Sequence, residues 1–242
     1  MTTSPFVPGM DHGRKSTAAI ETAEPPLSTR RRGALHLLAG TALIAGPVLF
    51  AAGMATTPAA ENLDGVVYIA SLGRDATQTQ VSALFLHYAN LLFGLGILAG
   101  PALVRSRRGF WPVLTGSVLA AIGFANLSGM LLSDWWNLSA ATHLTPHQAA
   151  TVFQGFQQSS LLALWDGTTP FNLLGPVLVL VGLLRAGVVQ WWTVPLYVAG
   201  VAGLIMIPAD LPLATAAAVL VGFSPLALIG LRLVGRYRAG TI

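Results

Sequence analysis

Long runs of apolar residues alternate with short polar segments along this chain of 242 residues. An α-helix that crosses the ~30 Å hydrocarbon core of a bilayer needs ~20 mostly apolar residues. Runs of about this length predict six membrane-spanning helices, at about 34–54, 81–103, 111–132, 165–184, 189–208 and 212–231. The pattern therefore predicts an all-α, polytopic integral membrane protein whose transmembrane domain covers residues 30–238.

Polar stretches precede, separate and follow these runs. Residues 1–29 are rich in Ser, Thr, Pro and Gly and have no apolar period, which is typical of a disordered tail. Outer segments are predicted at about 55–80 and 133–164, and residues 239–242 form a short second tail. The first apolar run also resembles a secretion signal, but its core is long for one, so an uncleaved first span is expected.

Basic residues are distributed unequally between the two sides of the predicted membrane domain. With six spans, Arg74 is the one member of the 13 lysines and arginines that lies on the side opposite the termini. The positive-inside rule then places both termini in the cytoplasm. The sequence therefore predicts a multi-pass protein of the cell membrane, in contact with the lipid bilayer.

Composition excludes several other classes of protein. Charged residues make up 9% of the chain, against the ~25% of an average soluble domain. The pI near 10.1 comes from short arginine clusters at the ends of the spans. The sequence has no basic segment with interleaved aromatic residues, which a nucleic-acid-binding protein would be expected to have. The chain has no cysteine, which excludes disulfides and thiol chemistry, and no motif calls for a cofactor.

The stretch ALWDGTTPFN, residues 163–172, interrupts one of the most apolar parts of the chain. Upstream of it, Thr145 and Gln148 fit a capping box with Pro146 at the first helical position. This pattern predicts an amphipathic helix on the outer membrane surface that continues to Asp166. The interrupting stretch is then interpreted as an elbow between that helix and the fourth span.

Polar residues at matching depth in the predicted spans form the leading candidate site. Counting from the outer ends of their spans at ~1.5 Å per residue places His87, Asn126 and Asn172 ~9–10 Å below the surface. Asn90 lies one turn deeper than His87, and Asp166 lies at the elbow. Two interpretations remain: hydrogen bonds that join helices, or an outward-facing pocket with Asp166 as its charged anchor.

The pocket interpretation gives the leading functional hypothesis, a non-enzymatic membrane component that binds a small ligand, a lipid or a partner subunit. One alternative is an enzyme with an outward metal-assisted site, because His143 and His147 are spaced four residues apart and Asp134 could complete the ligand set. A second alternative is a small-solute transporter, which proline-bearing spans and a broken fourth helix favour.

Small residues recur at four-residue spacing in the predicted spans, including Gly46 with Ala42 and Gly96 with Gly100. Such pairs let two helices approach closely. The favoured prediction is that these pairs pack helices together inside the domain. The alternative is that they form an interface with a second copy of the chain or with a partner subunit.

Overall fold

The computed structural model describes residues 27–61 and 65–240, with side chains from Gly33 onward. This part of the chain is all-helical, as predicted, and contains no strand. Residues 1–26 of the predicted disordered tail lie outside the described residues, whereas residues 27–29 belong to the first helix. The helices are α1 (Leu27–Ala55), α2 (Gly65–Arg74), α3 (Ala76–Ile97), α4 (Arg107–Leu132), α5 (Asp134–His143), α6 (Pro146–Gln157), α7 (Leu162–Asp166), α8 (Phe171–Arg185), α9 (Thr193–Met206), α10 (Pro212–Gly222) and α11 (Ser224–Arg238), with a 3-10 helix at Gly100–Leu103 between α3 and α4.

Four or five helical segments of the described chain are long and apolar enough to cross a membrane. Four are unbroken by this measure: Gly33–Ala55, Ala76–Ile97, Arg107–His143 and Leu162–Arg185. The fifth consists of α10 and α11, which are bent by 40°. Pro225 lies in the first turn of α11 and has no backbone N–H to donate, which accounts for a break at this position. Helix α9 is apolar but has 14 residues, fewer than the ~20 of a full span.

Helices α4 and α8 approach each other through glycines spaced seven residues apart. Gly109 and Gly116 of α4 face Gly182 and Gly175 of α8, and Gly123 faces Asn172 at the start of α8. A Cβ atom at Gly116 would lie 2.7 Å from the carbonyl oxygen of Gly175, and one at Gly175 would collide with the backbone of Ala120. The two backbones are therefore in contact, which only glycine permits at these positions.

Small residues also pack α1 against α3; the sequence predicted close packing inside the domain without pairing these two helices. A Cβ atom at Gly46 would collide with the Phe93 ring, and one at Gly96 would lie 2.9 Å from the carbonyl oxygen of Ala39. These glycines let the two helices approach inside the bundle.

An aromatic cluster fills the centre of the bundle. The ring of Phe93 on α3 is fully buried and contacts Phe50, Phe124 and Phe223, with ring centroids 5.1–6.2 Å apart. Tyr197 of α9 stacks on Phe223 at 5.2 Å. Phe223 lies at the bend between α10 and α11, and its side chain is buried in the core.

A smaller core forms where α2, α5 and α6 meet, beyond the end of α4. Ile69, Leu72 and Ala149 are buried there, and the rings of Tyr68 and Phe153 lie 5.8 Å apart. The sequence predicted outer segments in these regions but did not predict helix α2.

Helix α6 begins with the predicted capping box. The amide of Gln148 donates to the Thr145 hydroxyl at 3.4 Å, and the Gln148 side-chain oxygen accepts from the Thr145 amide at 3.0 Å. The prediction of one helix continuing to Asp166 was wrong, because α6 ends at Gln157 and the short α7 follows. Four residues, 158–161, separate the two helices. Ser159 and Ser160 are among them, and serine side chains compete for backbone hydrogen bonds.

Candidate functional site

The predicted elbow between α7 and α8 is a short series of hydrogen-bonded turns within the segment Leu162–Arg185, which counts as one candidate span. The amide of Thr169 donates to the carbonyl of Asp166 at 2.8 Å, and the amide of Asn172 donates to the carbonyl of Thr169 at 3.0 Å. The Asp166 side chain is exposed, and its Oδ1 accepts from the Thr169 hydroxyl at 2.9 Å. The Asp166 carboxylate therefore lies at the protein surface and has its hydrogen-bond donor within the same turn.

His87 and Asn90, both on α3, bond to neighbouring helical groups. The Ser128 hydroxyl of α4 lies 2.7 Å from His87 Nδ1 and donates to the His87 carbonyl at 3.0 Å. The side-chain amide of Asn90 donates to the carbonyl of Leu86 at 2.7 Å. The His87 contacts therefore join α3 to α4, whereas the Asn90 bond stays within α3.

Asn126 and Asn172 connect α4, α8 and α9 at the elbow. The Asn126 amide donates to the Thr168 hydroxyl at 2.7 Å, and the backbone carbonyl of Asn172 accepts from the Tyr197 hydroxyl at 2.6 Å. The Asn172 side chain lies against Gly123, and its buried Oδ1 has no hydrogen-bond donor among the described residues.

The structure brings together only some of the predicted pocket residues. Asn126 and Asp166 line a cavity of about 10 Å³, far below the ~300–1,000 Å³ of ordinary ligand pockets. Asn172 lines a separate, mostly apolar cavity of about 330 Å³. His87 and Asn90 line neither of these cavities.

Two of the three residues of the metal hypothesis have side-chain contacts elsewhere. Nδ1 of His143 lies 3.0 Å from the carbonyl oxygen of Ser139, and Asp134 is bonded to Tyr68. Within the described ranges, no three His, Asp or Glu side chains are placed to hold one metal ion. The set His143, His147 and Asp134 is therefore not assembled in this structure.

A larger cavity, of about 440 Å³, lies where α2 meets the ends of α1, α3, α9 and α10, and we call it the Asp134 cavity. Its walls are mostly apolar, including Met54, Leu72, Leu86 and Ile207. Two acidic residues, Asp134 and Glu61, line it, and none of its described lining residues is basic.

Asp134 supplies the main polar group of this cavity. Its Oδ1 accepts a short hydrogen bond from the Tyr68 hydroxyl and a longer one, at 3.5 Å, from the Asn137 amide. Its Oδ2 accepts no hydrogen bond from the described residues. Burial, reinforced by the adjacent Asp134 carboxylate, raises the pKa of the Tyr68 phenol, so Tyr68 stays a protonated donor.

Other polar groups of the cavity wall have backbone partners. The Thr79 hydroxyl donates to the Leu72 carbonyl at 2.8 Å, and the Ser82 hydroxyl donates to the Gly53 carbonyl at 3.0 Å. Asp134 lines this largely apolar cavity and also a neighbouring cavity of about 410 Å³, and its Oδ2 accepts no hydrogen bond from the described residues. A cavity of this volume, with apolar walls and few polar groups, has the character of a small-molecule site.

From the sequence, Asp134 was predicted only as a metal ligand, and Tyr68 was not predicted as a residue of any site. One signal for Tyr68 was available, because Val66, Ile69 and Leu72 recur every third residue and Tyr68 lies one turn before Leu72. The pairing itself joins residues 66 positions apart in the chain, which no local pattern reveals.

No family model, no curated protein and no solved structure matches this chain.

Proposed function

We propose that this protein is a six-span, non-enzymatic membrane component whose Asp134 cavity binds a small amphipathic molecule with a cationic head. The observation that carries the proposal is that Asp134, whose Oδ2 accepts no hydrogen bond from the described residues, lines a mostly apolar cavity of about 440 Å³. The apolar walls favour an alkyl or ring portion of the ligand, and the carboxylates favour a positive head.

The charge of the cavity supports a cation. Asp134 and Glu61 line it without a basic neighbour among its described lining residues. Burial disfavours an ionised carboxylate, and an opposite charge within ~4–6 Å favours it. A bound ammonium group would therefore compensate the Asp134 charge and donate a charge-assisted hydrogen bond to the carboxylate.

The proposed topology counts α9 and the bent pair α10–α11 as one span each. Helix α9 is ~21 Å long at ~1.5 Å per residue, and the apolar residues that flank it bring the run to the predicted 189–208. Six spans put the arginine clusters and both termini in the cytoplasm and the Asp134 cavity on the outer side.

The same topology puts α6 at the outer membrane surface. Val152 of α6 is 58% exposed and Phe156 of α6 is 38% exposed. Both side chains would contact lipid there, as in an interfacial amphipathic helix.

Octylammonium is a suitable probe, because it combines a short apolar tail with a hydrogen-bonding cation. We expect it to raise the thermal unfolding temperature of the purified protein in a non-ionic detergent, with saturation. Octanol and octanoate, which share the tail, should have little effect. Asp134→Asn should weaken the apparent affinity for octylammonium at least about tenfold, since it removes a charged hydrogen-bond acceptor.

Asp166→Asn is the matched control, since Asp166 is an exposed acid that does not line the Asp134 cavity. This variant should bind octylammonium like the unmodified protein. Equal stabilisation by octanoate would contradict the proposal, as would an effect of Asp166→Asn that equals or exceeds that of Asp134→Asn.

A further inference from the structure

A cavity of about 490 Å³ lies at the opposite end of the bundle, and we call it the arginine cavity. Its walls come from the segment before α4, the turn between α8 and α9, and the end of α11. Arg105, Arg232 and Arg236 line it, and none of its described lining residues is acidic. Three cationic groups from two distant parts of the chain therefore share one concave surface.

The fold holds these guanidinium groups close to one another. Nη1 of Arg236 donates to the carbonyl of Ala102 at 3.4 Å, which ties the end of α11 to the 3-10 helix. Arg236 is subject to electrostatic repulsion from both Arg105 and Arg232. An anion between them would be attracted to each guanidinium group and would offset this repulsion.

The start of α4 adds a second feature that favours an anion. Ser106, which lines the cavity, is the N-cap residue of this 26-residue helix, and its side chain makes no capping hydrogen bond. The first-turn amides therefore lack a side-chain acceptor, and the positive end of the helix dipole lies beside the cavity. Helix N-termini of this kind bind phosphate and other anions.

We propose that the arginine cavity binds a phosphate group, carried by an anionic phospholipid or present as free inorganic phosphate. Arginine presents a planar set of donors that matches phosphate oxygens in pairs. Basic pockets between membrane helices at the cytoplasmic side bind lipid head groups through the same chemistry. This inference does not depend on the Asp134 cavity, because the two cavities share no lining residue.

The test compares two probes by thermal unfolding of the full-length protein in a non-ionic detergent. Inorganic phosphate is compared with chloride at matched pH and ionic strength, and short-chain phosphatidylglycerol is compared with short-chain phosphatidylcholine. We expect saturable stabilisation by at least one of the two anionic probes. Arg105→Gln and Arg232→Gln should each weaken that probe about tenfold, because each removes one charged donor.

Arg185→Gln is the matched control, since Arg185 is exposed, ends α8 near the same face and does not line the cavity. It should bind like the unmodified protein. Stabilisation by phosphatidylglycerol alone assigns the site to a lipid head group, and stabilisation by phosphate alone assigns it to the free anion. If both stabilise and phosphate displaces the lipid, both share the cavity.

Two results would overturn the inference. One is the absence of stabilisation by either probe in the unmodified protein, a measurement that depends on no variant. The other is an equal loss in Arg185→Gln and Arg105→Gln, which would indicate diffuse attraction to a basic surface.

Discussion

Gly175→Leu should abolish the native fold or lower the free energy of unfolding by at least ~3 kcal/mol, at or beyond the upper end of ordinary overpacking. The reason is geometric, since a Cβ atom at Gly175 would overlap the backbone of Ala120 rather than a flexible side chain. Relief requires α4 and α8 to separate, and this separation also breaks the contacts at Gly116 and Gly182. Size-exclusion profiles and thermal unfolding in detergent measure the effect.

Gly155→Leu is the control for this prediction. Gly155 lies on an exposed part of α6, and a Cβ atom there would have nothing within 4 Å. Leucine also has a higher helix propensity than glycine, so this variant should be as stable as the unmodified protein or more so. Equal stability of the two variants would show that α4 and α8 do not pack through their glycines.

Phe93→Ala should cost ~3–5 kcal/mol, the usual range for removing a large aromatic side chain from a core. The Phe93 ring is fully buried and contacts three other rings, from α1, from α4 and from the bend before α11. The neighbouring rings belong to separate helices and cannot all collapse into the space left by one ring. Unfolding of the purified variant by heat measures the loss.

Phe110→Ala provides the comparison, because Phe110 of α4 is 36% exposed and lies near the helix start. Its removal should cost much less than removal of Phe93. A loss at Phe110 as large as that at Phe93 would contradict the assignment of the core to the central aromatic cluster.

Local features of the structure followed from the sequence. The all-helical class and the extent of α4, predicted as a span at 111–132, depend on the length of apolar runs between polar residues. The cap at Thr145 depends on a four-residue pattern. Both signals lie within one helix, so they require no knowledge of its neighbours.

Features that depend on contacts between helices did not follow from the sequence. The bend at Phe223 and the short α9 lie inside runs that look uniformly apolar. Depth along each span suggested that His87, Asn126 and Asn172 form one layer, but depth gives no helix orientation, and each of these residues bonds to a different neighbouring element. The Tyr68–Asp134 hydrogen bond could not be predicted from the sequence, because it forms only when α2 and α5 pack together.

Thiol labelling of a single cysteine at position 207 tests the central claim, an outward-facing cavity that binds an amphipathic cation, most directly. The chain has no native cysteine, and Ile207 lines the Asp134 cavity. Ile229→Cys is the buried control, because Ile229 is 0% exposed. In intact cells, a membrane-impermeant thiol reagent should label position 207 but not position 229, and octylammonium should slow the reaction at position 207. Absence of labelling from outside, or labelling that octylammonium does not slow, would contradict the claim.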